Sequence, residues 1–353
     1  MNKVFFYLTI LTILVSCIKP EGPGYGDLVE SLVSANGIFV LNEGNYGRGN
    51  GSLTYFSYDS SKIYNTFFES INRRPLGDVP FSMLIQGNNI YIVVNNSEKI
   101  EVIDRRNLES VTTITGFNSP RNIVLAGQDK AYVTSMYSKS VGILDLKKNK
   151  ISGFINIHQT SESVVVMGQK AFIANWLGGN KVFVINTETD ALIDSVEVGK
   201  EPESMVVDKN GIIWVLCNGG WKRDTYAELV GINPQSLVIF KRYVFPELQN
   251  SPLNLQADGD GDTLYYIDNG IRRMSINSSG LPSVPIIDDE DHLFYKIGIN
   301  PSNGDIAATD AVDYQQNGYL LIYNNKGFLR NSYITGIIPG NITFMVESAH
   351  VTD

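Results

Sequence analysis

Four stretches of the chain decide how it folds: VPFSMLIQGNNIYIVVNN (79–96), SPRNIVLAGQDKAYVTSM (119–136), TSESVVVMGQKAFIANW (160–176) and EPESMVVDKNGIIWVLCN (201–218). Each opens on Pro or Ser near its start, runs through a short apolar strand, turns on Gly or Asn, and returns as a second apolar strand. Pro80, Pro120, Ser161 and Pro202 recur every 40 or 41 residues, and Gly87, Gly127 and Gly168 keep the same step. A third strand repeats as KIEVID (99–104), SVGILD (140–145) and KVFVIN (181–186). A fourth follows in SVTTITG (110–116), ISGFINI (151–157) and LIDSVEVG (192–199). Turn residues separate these strands and no helical period runs through them, so each unit is four short strands of about forty residues. A single four-stranded sheet cannot bury both of its faces, whereas radial packing of several such sheets does. The expected fold class is all-β, a β-propeller of four-stranded antiparallel blades.

The same register extends in both directions. A fifth unit covers about 200–247, with one turn enlarged by NGGWKRDTYAE (218–228). A sixth covers about 248–291 and opens at Ser251-Pro252. A seventh covers about 292–336, with Phe294 in the Pro position. The first unit starts at GIFVLNEG (37–44), ends near Glu69, and lacks a first strand. The C-terminal stretch IIPGNITFMVE (337–347) supplies it, because Pro339 and Ile342 match Pro80 and Met83. Residues 35–353 therefore read as a seven-bladed propeller whose first blade is closed by the C-terminal strand.

Composition narrows the function classes. Of 353 residues only 18% are charged, 32 are Gly, 18 Tyr and 16 Phe, and the formal net charge is −9. That balance suits strands and tight turns and argues against nucleic acid as a partner. Two cysteines exclude a disulfide scaffold and a cysteine-rich zinc site. His158, His292 and His350 lie too far apart for a short metal motif, and no metal or cofactor is expected. Lys3 precedes the apolar run Val4–Val15, too short to span a bilayer and suited to a signal-peptide core. The run ends Leu14-Val15-Ser16-Cys17, which fits a lipobox. Residues 1–16 are expected to be a lipoprotein signal peptide and Cys17 the acylated residue. Residues 17–34, Pro- and Gly-rich at IKPEGPGYG (18–26), are expected to form a flexible tether. Cys217, inside the apolar run 212–217, reads as a buried, inert thiol.

In such blades the second-to-third turns and the blade-to-blade links share one face. The turns on the opposite face are short. The most unusual, Asp258–Asp262 (DGDGD), resembles the start of a calcium loop, but Asn269 stands where that loop needs Glu, so a hairpin turn is expected. The ligand-face turns are NEGNYGRGNG (42–51), NNSEK (95–99), SMYSKS (135–140), NWLGGNK (175–181), NGGWKRDTYAE (218–228), DNGIR (268–272) and DAVDYQQNG (310–318). Each begins with a polar residue: Asn42, Asn95, Ser135, Asn175, Asn218, Asp268 or Asp310. These either bind ligand or satisfy backbone groups where a strand ends. Asn96, Tyr46, Arg48, Met136, Tyr137, Trp176, Trp221, Arg223, Tyr226 and Tyr314 add amide, aromatic and cationic groups at the tips, and Arg73, Arg74, Phe81 and Arg121 join them from the links. That composition points to a recognition surface. His158 and His292 also fall in links. No GxSxG, HExxH or phosphate loop is present, so the chain reads as a binding protein and not an enzyme.

Residues 131–150 (AYVTSMYSKSVGILDLKKNK) and 181–211 resemble YVTN-type propeller repeats. With the lipobox, the tether and the opening GIFVLNEGNYGRGNGSLTYF (37–56), the whole layout resembles the BtuG-type surface lipoproteins. The resemblance implies capture of cobalamin (vitamin B12) or a related corrinoid, and hand-over to a TonB-dependent, BtuB-type outer-membrane transporter. It also implies an outer-membrane location, lipid-anchored and exposed on the cell surface. Asn side chains can pair the corrin amides, Tyr and Trp can cover its apolar parts, and Arg48, Arg74, Arg121 or Arg223 can pair its phosphate. Two alternatives stay open: a surface propeller for a glycan, peptide or cell-wall component, and a propeller hydrolase or lyase.

Overall fold

The computed structural model describes residues 36–345. The signal segment, Cys17, the tether and His350 lie outside them. Among the described residues, 27 strands, numbered β1–β27 in chain order, form seven antiparallel sheets arranged as blades. The inner strands are β27 (Pro339–Met345), β4 (Pro80–Gln86), β8 (Pro120–Leu125), β12 (Val164–Met167), β16 (Pro202–Val207), β20 (Leu253–Ala257) and β23 (Phe294–Ile299). Each packs against the inner strand of the next blade, and β23 meets β27, which meets β4, so the ring closes. The first blade is ordered β27, β1 (Gly37–Asn42), β2 (Ser52–Ser57), β3 (Lys62–Tyr64). Val40 lies between Ile342 and Thr54, so the C-terminal strand closes this blade as the repeat register requires.

The core lies between blades. Tyr91, Val93, Ile100 and Val102 of the second blade pack on Ile123, Ala131, Val133 and Leu144 of the third. Comparable clusters fill the other gaps. Each large side chain buried there contributes about 1.5–3 kcal/mol, which is why apolar residues fill both faces of the middle strands.

Two features depart from the repeat. The sixth blade has three strands, ending at β22 (Ile271–Ser275). Its fourth is reduced to one bridge, Ile271 to Ile287. The segment beyond β22 carries Pro282 and Pro285, which cannot donate to a ladder. The first link holds a helix, α1 (Phe67–Asn72), which buries Phe67 and Phe68 and ends on Arg73 in the left-handed region, φ 57°.

A recurring irregularity positions the site. The pairing of β4, β8, β16, β20 and β23 with its neighbour slips just after the first residue of the strand. Such bulges re-aim the side chain left out of the ladder. Here those side chains include Phe81, Arg121, Glu203 and Tyr295, all near the central axis.

Candidate binding face and channel mouth

The second-to-third turns all emerge at one end of the ring. The residues that open them are mostly buried and engaged. Asn42 Nδ2 donates to Ser52 Oγ (3.0 Å) and Thr54 Oγ1 (2.9 Å). Asn95 Nδ2 reaches Ser119 Oγ (2.8 Å) and the Pro120 carbonyl (2.9 Å). Ser135 Oγ donates to the Asn118 carbonyl, and Asn175 Nδ2 to the Thr160 carbonyl (2.9 Å). Asn218 Oδ1 accepts from the Gly220 amide (3.0 Å). Asp268 accepts from Asn250 Nδ2 (3.1 Å), and Asp310 from the Leu293 and Val312 amides. Strands end here, and these side chains occupy the backbone groups that lose their ladder partners. They are the footing of the turns.

The tips are different. Tyr46 is 77% exposed and Trp221 88% exposed; Tyr137, Tyr226, Tyr314 and Arg48 are also exposed. Their backbones are nevertheless pinned. Asp78, in the first link, accepts from the Gly47 amide (2.8 Å) and from Asn96 Nδ2 (2.6 Å) through one oxygen. Glu201, in a later link, accepts from the Trp221 amide (3.1 Å) and the Gly178 amide (3.3 Å). Asn45 Nδ2 reaches the Tyr314 carbonyl (3.3 Å). These bonds tie turns of neighbouring blades together, so the exposed rings sit on a rigid base.

Inside this rim, the residue after the repeated Pro position stands at the start of each inner strand or just before it, and in β4, β8, β16, β23 and β27 a bulge leaves it out of the ladder. In chain order these positions are Phe81, Arg121, Glu162, Glu203, Leu253, Tyr295 and Gly340. Gly340 has no side chain, and Glu43 occupies its place: a Cβ on Gly340 would lie 2.5 Å from Glu43 Oε1. Arg121 Nε bonds both oxygens of Glu162 (3.0 and 2.9 Å), and its guanidinium lies 3.4 Å from the centre of the Phe81 ring. Tyr295 Oη donates to Glu43 Oε1 (2.8 Å), and Tyr314 packs edge-on to Tyr295. Lys296 Nζ is 3.7 Å from Glu203 Oε1. Burial raises the Glu43 carboxyl above its ordinary value, against the hydrogen bond from Tyr295 and the charges of Arg121 and Lys296. Burial, with Glu43 alongside, pushes the Tyr295 phenol well up. Beside these groups the channel holds a cavity of about 230 Å³, lined by Phe81, Glu162, Glu203, Lys296 and Asn341 among others.

Over residues 36–330 the chain matches the family described as "Domain of unknown function (DUF5074)". It belongs to the DUF5074 family. No curated protein matches it. Solved structures share its fold. A quinonprotein alcohol dehydrogenase-like protein of Bacteroides thetaiotaomicron superposes with TM-score 0.70 at 14% identity, covering 88% of this chain and 78% of that one. The Pseudomonas aeruginosa periplasmic gluconolactonase PpgL gives 0.65 at 12%, covering 88% and 99%. A virginiamycin B lyase from Staphylococcus aureus gives 0.57 at 13%, covering 72% and 83%. At such identities the likeness extends to the fold alone.

In this DUF5074 propeller the remaining expected site residues fall in several places. Trp176 and Met136 are half-buried, and the Trp176 indole N–H is sealed without a partner. Arg223 is half-buried and donates to the Asn218 carbonyl (3.3 Å). Arg121 and Phe81 belong to the channel mouth, not to the rim. Arg74 leaves the ligand face: α1 and its cap turn it onto Glu101 (2.5 Å) and Ser110 Oγ (2.8 Å), with Phe68 alongside. Burial alone would raise Glu101, but hydrogen bonds from Arg74, Ser110 and Lys99 outweigh it and hold the carboxyl below its usual value. His158 is exposed, and His292 Nδ1 pairs with Asp310 Oδ2 (2.8 Å). Asp258 Oδ1 accepts from the Asp262 and Thr263 amides, and Asp262 pairs with Lys209 (3.0 Å), so the DGDGD stretch does the work of a turn. Among the described residues, no three His, Cys, Asp or Glu are grouped to hold a metal ion.

The sequence reading missed Glu43, Glu162, Glu203, Tyr295 and Lys296. The signal was present: all but Glu43 stand one or two places after the repeated Pro position, where a bulge can aim them at the axis.

Proposed function

We propose that this DUF5074 propeller is a surface binding protein that captures a corrinoid of the cobalamin type and delivers it to a TonB-dependent, BtuB-type transporter. The observation that carries the reading is the set of exposed rings, Tyr46, Tyr137, Trp221 and Tyr226, on pinned turns at one end of the ring. Large exposed aromatics on a fixed base lose little entropy when a partner covers them, and such residues dominate binding energy where they occur. A corrin ring is broad and disc-like, with apolar faces and an amide-bearing edge. The rings would cover its faces, while exposed Arg48 and Asn96 and half-buried Arg223 would meet its polar groups. The lipobox at Cys17 and the resemblance to BtuG-type lipoproteins supply the remainder: a lipid anchor, the outer membrane, and a position facing the medium. Capture here is binding without turnover.

The test is calorimetry of the full chain with cyanocobalamin, together with co-elution in gel filtration. The expected result is one-to-one binding and red colour travelling with the protein. No heat and no co-eluting colour would overturn the reading.

A further inference from the structure

The channel mouth has binding chemistry that the rim does not use. Arg121 spends only Nε on Glu162; its two terminal amino groups make no hydrogen bond among the described residues. Lys296 Nζ approaches Glu203 without bonding it, and Asn341 Nδ2 and Asn254 Nδ2 also make no hydrogen bond among the described residues. The donors in excess are thus two cations and two amides. The acceptors left over are Glu43 Oε2 and Glu203 Oε1, one oxygen on each side. Charge is balanced: Arg121 faces Glu162, Lys296 faces Glu203, and Glu43 holds its proton more readily than usual. A bare cation would leave the free N–H groups unmatched, and an apolar guest would strand all of them. An acceptor-rich anion that also carries hydroxyls satisfies both sets.

We infer that the axial cavity is a separate subsite for a sugar acid, with its carboxylate on Arg121 and Lys296 and its hydroxyls on Glu43 and Glu203. The cavity of about 230 Å³, lined by Lys296, Glu203 and Asn341, borders Arg121 and Glu43 through the lining residues Glu162 and Gly340 that they touch, and has room for one such ring. Charge-assisted bonds from Arg and Lys to a carboxylate are among the stronger polar contacts, and the channel walls limit their screening by water. The subsite does not depend on corrinoid capture, because none of its residues lies on the turn tips except Glu43, which turns inward from the first of them.

The experiment is titration calorimetry of the full chain with D-glucuronate, and with D-glucose as the analogue without a carboxylate. Glucuronate is expected to bind one-to-one and glucose at least tenfold more weakly. Lys296→Met is expected to weaken glucuronate at least tenfold and leave glucose unchanged. Gly340→Ala, whose methyl group would displace the Glu43 carboxyl, is expected to weaken both sugars. Thermal melts establish that each variant is folded, and Lys296→Met alone decides the matter if Gly340→Ala is not. No heat with glucuronate, equal binding of glucose, or a Lys296→Met variant that binds glucuronate like the parent would overturn the inference.

Discussion

The rim and the mouth sit on one end of the same ring and are built by opposite rules. At the rim, backbones are held by buried carboxylates such as Asp78 and Glu201 while the side chains stay free. At the mouth, the side chains are drawn into pairs, Arg121 with Glu162 and Tyr295 with Glu43, and the backbone is bulged to let them meet. A free aromatic can be covered at little cost, so the rim suits a large guest of loose shape. A paired, half-dry charge needs a guest that replaces what it displaces, so the mouth suits a small one of defined polarity.

This contrast can be broken at either end. The largest effect is expected at the mouth: Glu162→Gln leaves the Arg121 guanidinium without its counter-charge, costing about 3 kcal/mol of stability as for other buried pairs that lose one partner. Urea unfolding measures it, and a loss below about 0.5 kcal/mol would mean that the pair is not structural. At the rim, Trp221→Ala should leave the unfolding curve in place and weaken cyanocobalamin by about 2 kcal/mol, roughly thirtyfold. Calorimetry reads the one, urea unfolding the other.

A smaller effect concerns pH. The folded chain holds the Glu43 proton more tightly than the unfolded chain does. This contribution to stability is complete below the ordinary carboxylate value and is lost as pH rises through the elevated one. Glu43→Gln removes that loss, so melts at pH 7 should favour the variant, with the gap closing by pH 4. A gap of constant size would show that Glu43 does not titrate in this window. The smallest effect is at Cys217, fully buried, whose thiol is pushed far up, chiefly by burial. A thiol-specific reagent should label it only as the protein unfolds, and prompt labelling of the native chain would show that the blade opens locally.

Much of the fold was legible because packing enforces a period. Blades must nest, so Pro80, Pro120 and Pro202 recur in step, and Pro339 could be assigned to the first blade before any pairing was seen. The missing strand of the sixth blade was not legible. Apolar residues continue past Ser275, and only the pair Pro282 and Pro285 marks that no ladder can form there. At the site, the turn tips were readable as exposed aromatics because loops carry few other reasons to be aromatic. The footing residues Asn95, Asn175 and Asp310 looked the same whether they served a ligand or the backbone. The mouth was hidden for a different reason. Tyr295 lies inside a strand and Glu162 just before one, and neither a bulge nor a strand's approach that brings a side chain to the axis leaves a mark in the hydrophobic pattern. Arg74 misled because sequence does not reveal that Glu101 is wholly buried one blade layer away.

The central claim is that the exposed rings of the rim form the ligand surface, and the fluorescence of Trp221 tests it most directly. Of the chain's three tryptophans, Trp214 is buried within a blade and Trp176 is half-buried, so the exposed emission belongs to Trp221. Titrating the full chain with cyanocobalamin, corrected for its absorbance, should quench that emission to saturation at one equivalent. The quench should vanish in Trp221→Phe. Emission that stays constant while calorimetry reports bound corrinoid would contradict the account and move the ligand off this face.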